Sequence, residues 1–415
     1  MGGEMKGIDF TNLPQKNKSY SGANGSKLCV VYNNEDYMLK FPASSTKNDD
    51  MSYTNGCVSE YIGCHIFESV GIDVQKTLLG TYKTQNGKEK IVVACKDFTR
   101  PGIVLSDFAS LKNKIIDSPR GGYGTELSDV LNSIENQTVI DSAELNKHFW
   151  NIFIVDALIG NWDRHNGNWG FLYDQVNDKM TLAPIYDCGS SLYPQADEKI
   201  MKSVLENKDE LNSRIYSIPT SALMVDKKRI RYFDYINSLE NKDCNEALKR
   251  IFPKIDMEKI HNIVNETPYI TELHKDFLST MLDARYNIIL KSPYQNILKI
   301  ENKAQNCTKI ESNKDDEKLS ELLGQEYVEL IMKNCEKMPI AESIKLATEK
   351  TYGDSANSEK ILKQSKIKEF LNKKNINDTK DLKKYIEIQL EERKQSKKTV
   401  HKSISDDSGI SSISD

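Results

Sequence analysis

The fold of this chain is decided by the stretch Asn161-Trp162-Asp163-Arg164-His165-Asn166-Gly167-Asn168 and by Pro184-Ile185-Tyr186-Asp187, which follows it. Together the two segments supply a carboxylate, an amide and a second carboxylate, each at the end of an apolar run. Such groups can move a phosphoryl group from Mg-ATP: one aspartate orients the attacking hydroxyl group, while an asparagine and a second aspartate hold the metal ion. The stretch therefore predicts a phosphotransfer site.

The first carboxylate and the amide have a diagnostic spacing. Asp163 and Asn168 fit the D-x4-N pattern of a kinase catalytic loop. In isolation, an aspartate and an asparagine in a loop are more often turn formers than catalysts. Catalysis is favoured here because the three tryptophans, Trp150, Trp162 and Trp169, surround the loop, and because a predicted hairpin returns the chain to the same edge. We therefore predict Asp163 to be the catalytic aspartate.

The second carboxylate, Asp187, ends an apolar strand and precedes Cys188 and Gly189. This is the setting of the metal-binding aspartate at the start of a kinase activation segment, although an ordinary turn would have the same composition. A hard cation such as Mg2+ binds several oxygen ligands at one place. Since Asn168 offers another oxygen, we predict that Asn168 and Asp187 are metal ligands.

Composition excludes several classes of protein. The chain has 415 residues, of which 38% are hydrophobic, so it can bury a full core. Charged residues make up 28% and the formal net charge is -4, so a nucleic-acid-binding protein is not expected. No apolar run has membrane-spanning length and no signal-peptide pattern is present, which predicts a cytoplasmic protein without membrane contact. The cysteines form no C-x-x-C pair, so we expect reduced thiols and no structural zinc.

Residues 1–98 are predicted to form a small, sheet-rich lobe. A glycine-rich loop at 21–26 precedes a hairpin with strands 28–32 and 37–41 and a turn at Asn33-Asn34. A helix capped by Thr54 or Asn55 runs to about Ser69, with Gly71 as its stop. A second hairpin joins strands 78–82 and 91–95 through Asn86-Gly87, a strong hairpin signal.

Residues 99–300 are predicted to form a mostly helical lobe that carries the catalytic loop and the metal site. The pattern is helical after Pro101, and a long helix starts at Asp141 or Ser142 and ends at Gly160. Strands are expected at 169–173 and 180–185, and helices over 200–295 with breaks at Pro219, Pro253 and Pro268. Residues 301–396 are predicted to be a linker with a helical extension, and 397–415 a disordered tail.

Further residues are candidates for binding a nucleotide. Glycines in the 21–26 loop permit close backbone approach to phosphates, although a flexible arm is the simpler explanation of such a loop. Lys40 can pair with the α- and β-phosphates, with Glu60 as its partner; the alternatives are a solvated strand lysine and a surface glutamate. The backbone at 96–98 can face an adenine. His165 is expected to brace the catalytic loop rather than to act as a base.

The order of these parts is that of a protein kinase, and the sequence resembles the HipA-like kinases over roughly residues 8 to 290. The strings that carry the resemblance are Ser21-Gly22-Ala23-Asn24-Gly25, Tyr37-Met38-Leu39-Lys40-Phe41-Pro42, Met51-Ser52-Tyr53-Thr54-Asn55-Gly56, Val92-Val93-Ala94-Cys95-Lys96-Asp97-Phe98, Asp163-Arg164-His165-Asn166-Gly167-Asn168-Trp169-Gly170-Phe171 and Leu192-Tyr193-Pro194-Gln195-Ala196-Asp197. Strings of this length are more specific than any single motif.

The resemblance implies an α+β, bilobal protein-kinase-like fold and ATP- and Mg2+-dependent phosphorylation of serine or threonine in protein substrates. It implies the same roles for Asp163, Asn168, Asp187 and Lys40 as the residues themselves suggest. It further implies that the backbone of Lys96 and Phe98 meets the adenine, that Tyr186 lies near the nucleotide, and that serines of the phosphate loop are autophosphorylated. The residues implied in the loop are Ser21, Gly22, Ala23, Asn24 and Gly25, with Ser19, Ser21 and Ser26 as the autophosphorylation candidates.

The resemblance also bears on partners and location. Full-length HipA relatives carry an extra N-terminal subdomain for toxin assembly, often with a DNA-binding antitoxin. This chain starts almost directly at the phosphate loop, so an antitoxin-type partner is not expected. Release into host cells stays open by the same resemblance.

Two other functions remain open at this stage. The D-R-H-N-x-N string is also similar to the catalytic loop of phosphoinositide kinases, so a lipid or small-molecule kinase is one alternative. The absence of a basic segment beside the site favours protein substrates over membrane lipids. The other alternative is a catalytically silent pseudokinase scaffold, against which stands the presence of all the polar groups that catalysis requires.

Overall fold

The computed structural model describes residues 7–18, 20, 27–42, 54–116 and 120–302, and the single positions 333, 338, 342, 346, 373, 375 and 384. The chain divides into two units, Met1–Ile300 and Glu301–Asp415. The elements below belong to the first unit. The predicted extension at 301–396 lies almost entirely outside the described residues, and the predicted tail at 397–415 lies wholly outside them.

In the residues that are described, the N-terminal part is a six-stranded sheet with one helix inserted. The strand order is β1-β5-β6-β4-β3-β2, and every pairing is antiparallel except the parallel pair of β1 and β5. The elements are β1 (Ile8–Asp9), β2 (Gln15–Lys16), β3 (Lys27–Tyr32), β4 (Glu35–Lys40), helix α1 (Gly56–Ser69), β5 (Thr77–Lys83) and β6 (Glu89–Lys96). Both predicted hairpins are confirmed.

Turn chemistry explains why these hairpins could be predicted. Asn33 and Asn34 have φ values of 49° and 63°, which a tight hairpin turn requires at both central positions and which asparagine tolerates. Gly87 has a φ of 75° in the second turn. Alternate residues of the strands then face one side, where a small apolar cluster forms. Its buried members are Phe10, Val30, Tyr37, Leu39, Val92 and Ala94.

Helix α1 lies where the sequence predicts it, but its start is fixed differently. Asn55 occupies the N-cap position without a side-chain capping bond. Its amide Nδ2 donates instead to the carbonyl oxygen of Ala196, 2.8 Å away. Gly71 follows the helix with a φ of 76°, as expected of a C-terminal stop. The N-terminus of α1 is thus tied to the helical part of the unit.

The expectation of helix directly after Pro101 is wrong for one segment. Ile103–Asp107 is strand β7, which pairs with β8 (Gly170–Asp174), and β8 pairs with β9 (Lys179–Leu182). Pairing with a strand distant in the chain outweighs the local pattern. Three helices lie between β7 and β8, namely α2 (Phe108–Ile115), α3 (Leu127–Asn136) and α4 (Ser142–Ile159).

Helix α4 is the buried centre of the helical part and leads straight into the catalytic loop. The Asp141 carboxylate caps it by accepting from the Glu144 N–H, and Gly160 ends it with a left-handed φ of 64°. Most of its side chains from Phe149 onward are buried on all sides. The predicted bounds are therefore confirmed, and the loop begins at a fixed position.

The rest of the unit is helical except for one hairpin that the sequence-based prediction missed. Strands β10 (Thr220–Val225) and β11 (Lys228–Arg231) form an antiparallel pair within the range expected to be helical. The helices are α5 (Glu198–Glu206), α6 (Lys208–Tyr216), α7 (Tyr232–Ser238), α8 (Lys242–Ile251), α9 (Met257–Asn265) and α10 (Glu272–Arg285), with a π-helical turn at Tyr286–Lys291. Among the described residues, no helix is long and apolar enough to cross a lipid bilayer.

Candidate active site

A lysine from the sheet contacts two carboxylates from different parts of the unit. Lys40, the last residue of β4, places Nζ 3.1 Å from Glu60 Oε1 on α1 and 3.0 Å from Asp187 Oδ1. Glu60 is buried. Burial alone would lower the pKa of Lys40, but Asp187 and Glu60 outweigh it and raise that pKa well above its usual value. Lys40 therefore keeps its charge between the two acids.

Asp187 is held at this position by its own segment. The Ile185 N–H donates to the Asp73 carbonyl oxygen (2.9 Å), and the Gln75 N–H donates to the Ile185 carbonyl oxygen (2.8 Å). Asp187 has a φ of 60°, a left-handed conformation that costs energy in a residue other than glycine. The positive charge of Lys40 lowers the pKa of the Asp187 carboxyl group, although partial burial acts in the opposite direction. Asp187 is thus an ionised group facing Lys40.

The side chain of Asp163 is available for chemistry. Its backbone N–H donates to Asn161 Oδ1 (3.1 Å), whereas no described residue donates a hydrogen bond to its carboxylate. Burial raises the pKa of this carboxyl group, an effect that the charges of His165 and Arg229 oppose and that of Asp187 reinforces. An unbonded, partly desolvated carboxylate is suited to accept a proton or a hydrogen bond from a substrate.

The side chain of Asn168 is oriented by Asp163, the other residue of the D-x4-N pattern. Its Nδ2 donates to the Asp163 carbonyl oxygen over 2.8 Å. This bond fixes which way the amide points, and Oδ1 accepts from no described residue. The free oxygen is the atom that a hard cation would bind.

Arg164 is the residue that the sequence-based reasoning left without a role. It is buried and its Nε donates to Asp156 Oδ2 on α4 (3.0 Å). Its Nη1 donates to the carbonyl oxygens of Asn168 (2.9 Å) and Tyr186. One guanidinium therefore joins α4, the catalytic loop and the segment that carries Asp187. The signal available in the sequence was Asp156, an acidic residue inside the apolar run of α4 and five positions before Asn161.

His165 and Tyr186 brace the same loop. The Gly167 N–H donates to His165 Nδ1 over 3.0 Å, and the Tyr186 hydroxyl donates to the Gly167 carbonyl oxygen over 3.0 Å. The ring of Tyr186 also lies 5.9 Å, centroid to centroid, from that of Phe98. These contacts suit a bracing role for His165 and place Tyr186 between the loop and the end of the sheet.

The two residues predicted to meet an adenine differ in their backbone bonds. The Lys96 N–H donates to the Lys76 carbonyl oxygen (2.8 Å), and the Lys96 carbonyl oxygen accepts from Gln75 Nε2 (2.9 Å). The Lys96 backbone is thus already partnered within the protein. Phe98 makes no backbone hydrogen bond to another described residue. Of the two predicted positions, Phe98 is the one with groups to offer.

The predicted phosphate loop lies outside the described residues, but its ends do not. Positions not described include all of its named candidates: Ser19, Ser21, Gly22, Ala23, Asn24, Gly25 and Ser26. Before it, the Tyr20 hydroxyl donates to Asp97 Oδ2 (2.8 Å). After it, Lys27 is the cross-strand neighbour of Lys40. The pKa of Lys27 is lowered mainly by burial and further by the positive charge of Lys40. Lys27 was not predicted as a site residue.

The polar groups fit a metal ion that is bound together with phosphates. Among the described residues, no cluster of three or more His, Cys, Asp or Glu side chains could hold a metal ion by itself. Mg2+ in phosphotransfer sites is held by one or two protein ligands and by the phosphates. The free Oδ1 of Asn168 and the ionised carboxylate of Asp187 meet that requirement.

A small sheet with an inserted helix, a helical part with a D-x4-N loop, and a lysine between two carboxylates define a protein-kinase-like class of fold and site. The sequence matches the family model of the HipA-like C-terminal domain over residues 19–266, and the chain belongs to that family. Serine/threonine-protein kinase CtkA of Helicobacter pylori is 52% identical over 288 residues, which are 69% of this chain and 87% of that protein.

Two solved structures are similar to this chain to different degrees. The crystal structure of a Helicobacter pylori proinflammatory kinase CtkA matches with a TM-score of 0.67 and 50% identity, covering 71% of this chain and 98% of that one. A more distant match is the Shewanella oneidensis toxin–antitoxin complex of HipA, HipB and operator DNA, with a TM-score of 0.40, 14% identity and 68% coverage of each chain. The first match confirms the predicted α+β, kinase-like fold.

Proposed function

We propose that this chain is a serine/threonine protein kinase that uses ATP and Mg2+. The observation that carries the proposal is the meeting of Lys40, Glu60 and Asp187 beside the bonded pair Asp163 and Asn168. Membership of the HipA-like family and the identity to a protein named as a serine/threonine-protein kinase support the same function.

The charges of the site suit the nucleotide phosphates. Lys40 would contact phosphate oxygens, and the buried Glu60 would hold its ammonium group in place. Asn168 Oδ1 and the Asp187 carboxylate would bind the metal ion. When bound, Mg2+ supplies positive charge that offsets the negative charge of the phosphates as the phosphoryl group moves. In a partly dry site these interactions are stronger than in water.

Asp163 would act on the protein substrate. Its carboxylate orients the serine or threonine hydroxyl group and takes its proton. The hydroxyl oxygen bonds to the γ-phosphorus, the bond from that phosphorus to the β–γ bridging oxygen breaks, and ADP leaves with the electron pair. Because no described residue bonds to the Asp163 carboxylate, it is free to do this without first losing a protein partner.

The adenine would lie against the end of the sheet. The backbone of Phe98 makes no hydrogen bond to the described part of the chain, and its ring lies beside that of Tyr186. Lys96 is the weaker candidate for adenine contact because its backbone groups already have protein partners. Titrating Phe98→Pro, which removes the N–H, with a fluorescent ATP analogue tests the assignment; unchanged affinity would argue against it.

Autophosphorylation of the phosphate loop is part of the proposal. Tyr20 and Lys27 fix the two ends of the segment close to the site, and Ser19, Ser21 and Ser26 are the candidate acceptors. A phosphate on Ser21 would compete with the phosphates of ATP and lower activity. Mass spectrometry of the protein after incubation with Mg-ATP would locate it, and Ser21→Asp should be slower than Ser21→Ala. Equal rates would remove the regulatory role.

The decisive experiment compares acceptors. Purified protein and its Asp163→Ala variant are incubated with labelled ATP and Mg2+, alone, with a dephosphorylated bacterial protein extract, and with phosphoinositide vesicles. We expect label on serine or threonine of proteins with the unaltered chain and none with the variant. Label on lipid alone would indicate a lipid kinase. ATP binding without any transfer would indicate a pseudokinase.

A further inference from the structure

The missed hairpin of β10 and β11 carries a basic sequence beside the catalytic loop. The expectation that no basic segment lies beside the site is therefore wrong, and its absence no longer argues against a lipid substrate. Its turn and second strand read Asp226-Lys227-Lys228-Arg229-Ile230-Arg231. Asp226 and Lys227 have φ values of 51° and 64°, so the turn is as tight as a two-residue connection allows. Side chains alternate along β11: Ile230 is buried, while Arg229 and Arg231 share the other face.

The tip of this hairpin is held in place by a carboxylate. The N–H groups of Asp226 and Lys227 donate to the two oxygens of Glu126, over 2.8 Å and 3.2 Å. The Met224 N–H donates to the Thr125 carbonyl oxygen (2.8 Å). Glu126 is thereby occupied by backbone groups, and the hairpin is fixed against the residue that precedes α3.

Arg229 extends from this fixed hairpin to the catalytic loop. Its Nε donates to the Ser221 carbonyl oxygen (3.0 Å), and its Nη2 donates to the Trp162 carbonyl oxygen (2.5 Å). Its Cζ lies 5.7 Å from the centroid of the Trp162 ring. Trp162 directly precedes Asp163, so the guanidinium group is bonded to the peptide unit that leads into the predicted catalytic residue.

The guanidinium keeps donors to spare. An arginine has five N–H donors, and only the two bonds above use them within the described part of the chain. Arg231 has a carboxylate neighbour, Asp234, at 3.6 Å. Arg229 has no carboxylate partner among the described residues, although its side chain is exposed. An exposed, pre-oriented guanidinium with free donors is suited to bind a carboxylate in a defined geometry.

We infer that Arg229 is a specificity-determining residue, which binds the carboxylate of an aspartate or glutamate near the acceptor serine or threonine of the protein substrate. The inference rests on the proposed kinase function and adds the class of sequence that the kinase selects. The simpler alternative is that Arg229 only braces Trp162. A brace would affect all substrates alike, whereas a specificity residue changes the ratio between acidic and neutral ones.

The test uses peptides. The full chain, Arg229→Gln and Arg229→Glu are given a dephosphorylated proteolytic digest of bacterial proteins with Mg-ATP, and phosphorylated sites are identified by mass spectrometry. One preferred site is then made as a serine peptide with Asp, Asn or Lys at the enriched position, for measurement of kcat/KM. Lys228→Gln is the matched control, because it removes the same charge from the adjacent position on the other side of β11.

For the unaltered chain we expect kcat/KM to be about tenfold higher with Asp than with Asn, the size of a hydrogen bond to a charged group. Arg229→Gln should bring this ratio close to one, Arg229→Glu should favour Lys, and Lys228→Gln should keep the ratio. No acidic preference, or one that survives Arg229→Gln, overturns the inference. The inference is also overturned if the protein phosphorylates intact proteins but no peptide. That result would still support the proposed kinase function.

Discussion

Lys40 Nζ lies 3.0 Å from Asp187 Oδ1, although 147 positions separate the two residues in the chain. The contact joins the end of β4 to the segment after β9, and Glu60 on α1 approaches the same nitrogen from a third element. Because each residue is fixed by its own element, the three charges meet without a ligand to assemble them. A site arranged in advance loses less free energy when it binds a nucleotide.

Replacement of Lys40 tests its role at the phosphates. We expect Lys40→Met to lower phosphotransfer by at least about 100-fold, the usual cost of losing one preorganised donor. It should also remove most of the rise in Tm that Mg-ATP produces, since that rise follows affinity. Lys76→Met is the control, because Lys76 also pairs with a carboxylate, Glu68, but on the exposed surface. An unaltered Mg-ATP shift in Lys40→Met would contradict the assignment.

Asp163→Asn should abolish transfer and yet not weaken the fold. Burial raises the pKa of Asp163 above its unfolded value, so its contribution to stability is present below about pH 3.9 and is lost as the pH rises through the folded pKa. At neutral pH the ionised group therefore destabilises the fold, to an extent that solvent screening reduces.

Urea unfolding at several pH values measures this effect. At pH 7 the Asp163→Asn variant should be as stable as the unaltered chain or slightly more stable. The difference in unfolding free energy should disappear as the pH falls towards 4. A clear loss of stability at pH 7 would mean that the Asp163 carboxylate has a structural partner.

The pair of Arg164 and Asp156 allows stability to be separated from activity. Arg164→Met leaves the Asp156 carboxylate buried without its cationic partner and should cost about 3–5 kcal/mol of unfolding free energy. The double variant Arg164→Met with Asp156→Leu should recover only part of that loss, because the buried Asn161 Nδ2 then loses the Asp156 oxygen to which it donates. Transfer should not recover, because the carbonyl oxygens of Asn168 and Tyr186 still lack their donor. An active double variant would show that Arg164 only compensates a buried charge.

Gly63 sets the distance between α1 and the segment that follows Asp187. A Cβ added there would lie 2.8 Å from Cys188 Cβ, closer than two carbon atoms can approach. Gly63→Ala should therefore displace α1, separate Glu60 from Lys40 and lower kcat, although alanine is otherwise favoured in helices by about 1 kcal/mol. Adding Cys188→Gly should restore part of the activity. A fully active Gly63→Ala protein would show that the helix position is not critical.

Elements with local signals could be predicted from the sequence. The asparagine pair of the first hairpin, Asn86-Gly87 in the second, and Asp141 and Gly160 at the ends of α4 each dictate the backbone at their own position. Asp163 and Asn168 are likewise close in the chain, five positions apart after a recognisable helix, and the Asn168 Nδ2 donates to the Asp163 carbonyl oxygen. Their roles in catalysis and metal binding stay predictions.

The elements that depend on distant partners could not be predicted. Strand β7 exists because it pairs with β8, more than sixty residues later in the chain. The β10–β11 turn uses Asp226 and Lys227, which lack the glycine of a typical hairpin signal. The role of Arg164 likewise arises only when α4 and the segment at Tyr186 come together. Long-range packing, and not local propensity, decides all three.

Cys188 follows Asp187, the predicted metal-binding aspartate, at the position where conventional protein kinases have a phenylalanine whose packing differs between active and inactive states. Here a small buried thiol accepts from Arg164 Nη2 over 3.4 Å. Rotation of so small a side chain would vacate little space, so inhibitors that fill the pocket left by a displaced phenylalanine should bind this protein poorly. Selective inhibitors of this protein would have to bind at a different pocket.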